Sequence, residues 1–296
     1  MTQEKIILSA DNSQISQFLT CPKSWYLKYI NHLGKRGSNV AALDKGTVVH
    51  ALLDVFYKCR GLGMNVNDSL NTTFKTFDRQ MELGKLPEIK NEDTKLIKGR
   101  FSLYVTYYLS KDFKPLVINN IPQVEVGFSI PLVDTPTHLF AIEGKIDLIT
   151  TQEMFVDHKS QERKYDHYQF DTQFLTYAMA SGLKLGMVNY FGLQKEFKEG
   201  TTFRRMSLCF SHSHLDRWKE RLHSLFLQMV GELNNIEEGF EPSTNEKSCS
   251  GSWGYPCEFH TICEATDSRI QKMIQISQYE ERPRWEPWTI KDLVME

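Results

Sequence analysis

His138–Thr150 reads HLFAIEGKIDLIT, and two residues later Glu153–Gln161 reads EMFVDHKSQ. Both runs are short and rich in β-branched and aromatic residues, the composition of adjacent strands. In the first, Ile142, Ile146 and Leu148 fall on one face while Glu143, Lys145 and Asp147 fall on the other. That alternation alone is the ordinary pattern of a half-solvated antiparallel strand. The second run departs from it. Asp157 and Lys159 stand at i and i+2 and so project from one face, on a strand that opens with Met154, Phe155 and Val156. A carboxylate and an ammonium so placed can share one divalent-metal site, the acid holding the cation and the lysine orienting water or offsetting phosphate charge. If the runs pair as a hairpin, Asp147 joins them. Two carboxylates with a backbone carbonyl, here that of His158, make a hard oxygen site suited to Mg²⁺ or Mn²⁺.

Working outward, Ile121–Leu132 (IPQVEVGFSIPL) predicts a third strand, closed by the turn residues Asp134, Thr135 and Pro136. Residues 167–182 predict a helix stopped by Gly182, with Gln173 and Tyr177 at i, i+4 on a polar stripe that Gln169 extends. GMVNYFGLQ and TTFRRMSLCFSH predict two more strands joined at Glu199-Gly200, and residues 213–236 a long amphipathic helix. Upstream, Ser13 is a candidate N-cap and Pro22 a helix start, and the helix from Gly46 to Cys59 carries Val49, Leu52, Leu53 and Phe56 at helical spacing. His50 interrupts that apolar helix. A lone histidine there is usually a satisfied core residue, and it bears on chemistry only if it meets the carboxylates in space. Residues 65–115 also predict helix. Helices, three strands, a helix, two strands and a helix describe an α/β core with a helical insertion.

The chain has 296 residues and a formal net charge of −2, so length points to about two domains and no global basic field exists to attract nucleic acid. No secretory leader or membrane-spanning apolar run is expected, which places the protein in the cytoplasm. Reduced thiols in that compartment are metal ligands or catalysts more often than disulfides. Cys249, Cys257 and Cys263 cluster near the end of a chain whose other cysteines are Cys21, Cys59 and Cys209. Their spacing is compatible with a structural Zn²⁺ site of four thiolates. Cys59 and Cys209, in apolar surroundings, read as buried small hydrophobes.

Together, Cys21-Pro22 within a helical N-terminus, Gly46–His50 (GxxxH), Gly144–Asp147 (GxxD), Asp157–Lys159 (DxK), Gln173–Tyr177 (QxxxY) and Cys249–Cys263 resemble, in order, the RecB-like iron-sulfur exonucleases of the PD-(D/E)xK nuclease superfamily. That group includes CRISPR-adaptation nucleases and phage exonucleases, and the resemblance spans about Ser13 to Cys263. It implies a restriction-endonuclease-like α/β core, a mixed central sheet flanked by helices, with a helical insertion and a C-terminal iron-sulfur segment. The implied divisions are 1–40, an N-terminal helical segment with the first cluster cysteine; 41–120, a helical subdomain with the histidine; 121–240, the nuclease core; and 241–296, the cysteine segment and tail.

By the same resemblance His50, Asp147 and Asp157 are metal ligands, Lys159 is the catalytic lysine, Gln173 positions the lysine or water, and Tyr177 contacts the DNA strand. Glu143 is an accessory carboxylate. Cys21 joins Cys249, Cys257 and Cys263 around a structural 4Fe-4S cluster, although relatives space the last three C-x2-C-x5-C and this chain spaces them C-x7-C-x5-C. The implied reaction is Mg²⁺- or Mn²⁺-dependent hydrolysis of DNA, at single strands or ends, in recombination, repair or phage DNA metabolism. Arg163, Lys164 and Tyr168, with Arg204 and Arg205 on a later strand, suit a strand-following basic and aromatic surface. The competing expectation is a DNA-end-binding or complex-assembly subunit of the same fold that does not cut. No GxxxxGK[ST] sequence occurs, so unwinding would need a helicase or recombination partner.

Overall fold

A computed structural model describes residues 5–37, 41–161, 171–234, 246–250 and 256–283. The chain starts with β1 (Ile6–Ala10), α1 (Asn12–Thr20) and α2 (Pro22–Trp25), which runs into a π-helical turn at Tyr26–Ile30. Then come β2 (Leu33–Lys35), α3 (Ala41–Gly61), α4 (Val66–Glu82) and α5 (Asn91–Tyr108). Two short strands, β3 (Val117–Ile118) and β4 (Ile121–Pro122), precede β5 (Val124–Asp134), β6 (His138–Thr150) and β7 (Met154–Gln161). These are followed by α6 (Thr172–Ser181), β8 (Leu185–Gly192), β9 (Phe203–Cys209) and α7 (His212–Asn234). Last are α8 (Glu246–Ser250), α9 (His260–Glu264), α10 (Ser268–Gln278) and β10 (Tyr279–Glu281). Among the described residues no helix is long and apolar enough to cross a membrane.

The chain divides into two compact units. Among the described residues, one comprises 41–128 and Gly144–Trp218. Its sheet is mixed: β6 pairs antiparallel with β7, β7 parallel with β8 through α6, and β8 antiparallel with β9. A parallel pair needs a crossover, and α6 is that crossover. Both faces are covered, giving a mixed α/β fold. On one, α3, α4 and α5 pack Val49, Leu52, Leu53, Phe56, Phe77 and Phe101 against Leu148, Val156, Phe191 and Phe203. On the other, Phe174, Tyr177 and Ala178 of α6 pack against Ile146, Phe155, Val188 and Leu208.

Ile146 and Leu148 thus lie in different clusters. The alternation read from the sequence, which put them on one face with Ile142, breaks here, where ladder pairing stops at Leu148↔Val156. Two glycines allow close approaches. A Cβ on Gly144 would stand 2.5 Å from Cζ of Phe128, and one on Gly46 would stand 3.3 Å from Oγ of Ser160, so α3 lies tight against β7.

The other unit comprises Met1–Asn39, Ser129–Glu143 and Lys219–Glu286. Here β1 runs parallel to the first half of β6, from Ile6↔His138 to Ala10↔Ile142, and Phe140 packs on Phe226 of α7 with ring centroids 4.3 Å apart. The N-cap of α1 is Asp11, whose carboxylate accepts from the Gln14 N–H at 2.8 Å, not Ser13. Asp11 has the shorter reach from an extended residue to the first turn's free amides. β10 pairs antiparallel with β2, above a small core of Leu27, Phe259, Ile262 and Tyr279. Of the two cysteines read as buried, Cys59 is buried and Cys209 is exposed at the end of β9.

Gly144→Val forces the Phe128 ring from its seat and is expected to destabilise the protein by about 1–3 kcal/mol. Thermal unfolding checks this, and an unchanged midpoint would contradict the packing described.

Candidate active site

β6 and β7 pair as an antiparallel hairpin, the condition under which the sequence brings Asp147 to Asp157. One step beyond the last paired residues, Leu148 and Val156, stand Asp147 and Asp157, with 8 % and 2 % exposure. Lys159 projects from the same face as Asp157, and its Nζ lies 2.9 Å from Asp157 Oδ2. It also donates to Gln173 Oε1 at 2.8 Å. Gln173 Nε2 donates to Asp157 Oδ1 at 3.1 Å and to the Tyr177 hydroxyl at 2.7 Å. The acid, the ammonium and the amide therefore close a triangle.

Helix α6 mounts that triangle's third corner by local chemistry. Asp171 caps the helix by accepting from the Gln173 N–H, and Gly182, at φ 70°, ends it. Gln173 thus sits in the first turn, pointing at β7, while Phe174, Tyr177 and Ala178 anchor the buried face. Tyr177 is 5 % exposed, and its hydroxyl is engaged by Gln173.

Asp147 accepts from the His158 backbone N–H at 2.7 Å, and His50 Nδ1 approaches the same Oδ2 at 3.5 Å. His50 reaches the site because Gly46, one turn earlier on α3, lets that helix approach β7. The His158 side chain points to the opposite face and stacks on Tyr57, with centroids 5.6 Å apart and planes 7° from parallel. Its backbone carries the site; its ring belongs to the α3–α5 side.

Sequence reasoning missed Glu125. Among the described residues, ligand atoms of His50, Glu125 and Asp147 lie within 4.8 Å of one another. Glu125 has φ 56°, a left-handed conformation uncommon for a non-glycine residue, and its carboxylate pairs with Lys145. The strand pattern held no signal for that kink. Glu143, the accessory acid expected from sequence, lies in the other unit and accepts from the Ser129 hydroxyl at 3.4 Å. Glu125 is the acid found beside Asp147 and His50. Arg163, Lys164 and Tyr168 lie outside the described residues. Arg205 is only 13 % exposed in its side chain and pairs with Asp112 at 2.7 Å, so it is no part of an open basic surface.

The electrostatics favour a cation. Burial pushes the Asp147 pKa well above the carboxylate range, and the charges of Asp157 and Glu125 push it further, against the His158 N–H and Lys159. Desolvation lowers the His50 pKa, with Glu125 and Asp157 opposing, so the imidazole is neutral. Burial works against charge on Lys159, but Asp157, Asp147 and Asp171 outweigh it and raise its pKa, keeping the ammonium. Glu125 pairs with Lys145 and Asp157 with Lys159, while Asp147 has no ammonium of its own among the ion pairs of the described residues. Asp157 Oδ2 is buried and takes no aligned hydrogen bond, the Lys159 contact being an ion pair. An oxygen so placed suits a metal ion, and carboxylates with one imidazole suit Mg²⁺ or Mn²⁺, with the nitrogen favouring the latter.

The sequence model of the PD-(D/E)XK nuclease superfamily matches residues 11–264, and the chain belongs to that superfamily. Nucleases of this superfamily use divalent metals and act on DNA. Among solved structures, the chain is similar to a proposed exonuclease from Eubacterium rectale, at 14 % identity and a TM-score of 0.45, with 87 % of each chain covered. It is also similar to the alkaline exonuclease LHK-Exo from Laribacter hongkongensis, at 10 % identity and a TM-score of 0.28, with 66 % of this chain and 96 % of that one covered. None of the curated proteins matches it.

The raised Asp147 pKa has a sign for stability. A carboxyl raised above its unfolded value contributes stability at low pH that is lost as pH rises through the folded pKa. Asp147→Asn, which still accepts from the His158 N–H, is therefore expected to stabilise the metal-free protein at pH 8 and to leave it unchanged at pH 3. Denaturant unfolding at both pH values checks this; equal effects at both would contradict it.

Proposed function

We propose that this chain is a Mg²⁺- or Mn²⁺-dependent deoxyribonuclease that works as an exonuclease on single strands or DNA ends. The observation that supports this most is the Asp157–Lys159–Gln173 triangle, buried against Asp147 at the edge of the hairpin. In this reading Asp147, Asp157, His50 and the His158 carbonyl hold the metal, with Glu125 as a further carboxylate. When bound, the metal supplies Lewis-acid charge at the phosphate and eases deprotonation of water. Lys159, held as an ammonium by its acidic neighbours, orients the attacking water and offsets charge developing on the phosphoryl oxygens. Gln173 fixes the lysine by accepting from it while donating to Asp157 and to the hydroxyl of Tyr177, the residue that the resemblance assigns to the DNA strand. Attack is in line, with no covalent enzyme intermediate.

Recognition of the strand by Arg163, Lys164 and Tyr168, a cytoplasmic setting, and a helicase or recombination partner complete the proposal. Its end preference rests on the resemblance carried by the ordered sequence motifs.

Cys21, Cys249, Cys257 and Cys263 are proposed to hold a structural 4Fe-4S cluster. All four are unbridged and fall in one compact unit. Burial raises the Cys263 pKa, Lys23 opposes this, and the Cys21, Cys257 and Cys249 thiols add to it, so the four are within electrostatic reach. The Cys257 N–H donates to the Cys249 carbonyl at 2.8 Å, and the Ser24 N–H at the start of α2 points at Cys21 Sγ, 3.5 Å away. Amide donors to cluster sulfurs stabilise bound thiolates. The cluster would staple two distant stretches of chain and perform no hydrolysis.

End-labelled linear single- and double-stranded DNA, incubated with Mg²⁺ or Mn²⁺, should be degraded by the wild type. Asp157→Ala or Lys159→Ala should reduce the rate at least about 100-fold, and chelator should abolish it. Binding without cleavage under both metals would instead favour an assembly subunit. Anaerobically purified protein should be brown, with about four iron atoms per chain. Colourless protein containing zinc would overturn the cluster assignment.

A further inference from the structure

Behind the hairpin, on the face away from α6, the compact unit that carries the site holds a buried polar chain that the cleavage chemistry does not use. Arg205 lies between the rings of Tyr108 and Phe113, with its guanidinium carbon 3.6 Å from each centroid. Its Nη2 donates to Asp112 Oδ1 at 2.7 Å and to the Tyr104 hydroxyl at 3.2 Å, and its Nη1 to the Lys111 carbonyl at 2.7 Å. Its Nε donates to Asn189 Oδ1 at 3.2 Å. Asn189 is fully buried, and its Nδ2 lies 3.0 Å from the Tyr104 hydroxyl and 2.8 Å from His158 Nδ1.

The direction of each hydrogen bond in this chain follows from donor inventory. Arginine has no acceptor, so the Asn189 oxygen must face Arg205 and its two N–H groups must face Tyr104 and His158. His158 Nδ1 is then an acceptor, and the ring's proton sits on Nε2. At the other end, Tyr57 donates to Asp112 at 2.9 Å and so accepts from Tyr104 across their 2.8 Å contact. Every polar atom of the Asn189 side chain then has a partner. Asn189 is fully buried, so reversing its amide would bury unpaired groups, and one arrangement of that side chain is permitted.

The chain ends at the residue that carries the site. The His158 ring is fixed by Asn189 at its edge and Tyr57 on its face, and lies 6.2 Å from the His50 ring. The backbone N–H of His158 holds Asp147, and Asp157 and Lys159 flank it. We propose that Arg205 and Asn189 are positioning residues: they set His158 as the Nε2–H tautomer and so hold the strand segment that aims Asp147 and Asp157 at the metal. The proposal rests on reading Asp147 and Asp157 as metal ligands. Groups that orient ligands from behind in this way are worth about 10–100-fold in metal affinity.

Asn189→Asp tests it, since a carboxylate beside Nδ1 can only accept and calls for a proton there. Three quantities are read on the full chain purified anaerobically: Mn²⁺ affinity, by the electron paramagnetic resonance signal of the free ion; the His158 tautomer, by ¹⁵N-histidine NMR; and kcat and KM on an end-labelled strand. The expected wild type has Nδ1 bare and Nε2 protonated. The variant should carry its proton on Nδ1, bind Mn²⁺ about 10-fold more weakly or worse, and lose kcat at unchanged KM. A wild-type His158 protonated on Nδ1 would overturn the proposal, as would a variant whose tautomer changes while Mn²⁺ affinity stays within twofold.

If Asn189→Asp does not fold, Arg205→Ala carries the test. A cavity of about 460 Å³, lined in part by Lys111, Asp112 and Arg205, gives small ions access to the vacated position. Added guanidinium should then strengthen Mn²⁺ binding by Arg205→Ala and not by wild type; no such difference would overturn the proposal. Wild type that binds Mn²⁺ with the stated tautomer but cuts no DNA would sink the nuclease reading and leave the relay intact.

Discussion

Two carboxylates buried one pairing step past the end of a β-ladder set the terms for everything around them. Water cannot solvate Asp147 and Asp157 there, and their charges repel. Each needs compensation from the protein or from a cation. Asp157 receives Lys159 and the Gln173 amide, while Asp147 receives one backbone N–H and the approach of a neutral imidazole. The arrangement leaves a buried oxygen on Asp157 without an aligned donor and an Asp147 carboxyl whose charge the protein alone disfavours. A fold optimised for stability alone would not keep it. One that binds a divalent ion has reason to.

The surrounding elements follow from that requirement. The crossover α6 is needed to make β7 and β8 parallel, and it delivers Gln173 from its first turn to the acid and lysine. Helix α3 brings the His50 imidazole to Asp147, and Gly46 removes the side chain that would hold the helix off. Gly144 does the same for Phe128 beneath the strand that carries Asp147. The spacings GxxxH and GxxD therefore join a packing need to a chemical one within a single turn or a few strand residues.

This explains which parts were legible in the sequence. Strand period, hairpin proximity and the i, i+4 rule are local, so β6, β7, Asp157 with Lys159, and Gln173 with Tyr177 could be read directly. Features fixed by distant partners could not. β1 is five residues whose only strand signal is a parallel partner more than a hundred positions away. Glu125 enters the site through a left-handed backbone kink, and Ile146 changes face where the ladder ends. Arg205 reads as a basic surface residue beside Arg204, yet stacking between two rings and an ion pair with Asp112 bury it. Asn189 sits in the apolar run GMVNYFG, and its role is visible only once His158 and Arg205 are placed on either side of it.

The most direct test of the account is crystallographic. Crystals soaked in Mn²⁺ and measured at a wavelength that excites manganese should give an anomalous peak in contact with carboxylate oxygens of both Asp147 and Asp157 and with the His50 imidazole. A peak absent from that place at saturating Mn²⁺, or one touching neither acid, would contradict the claim that these side chains are buried to hold a metal.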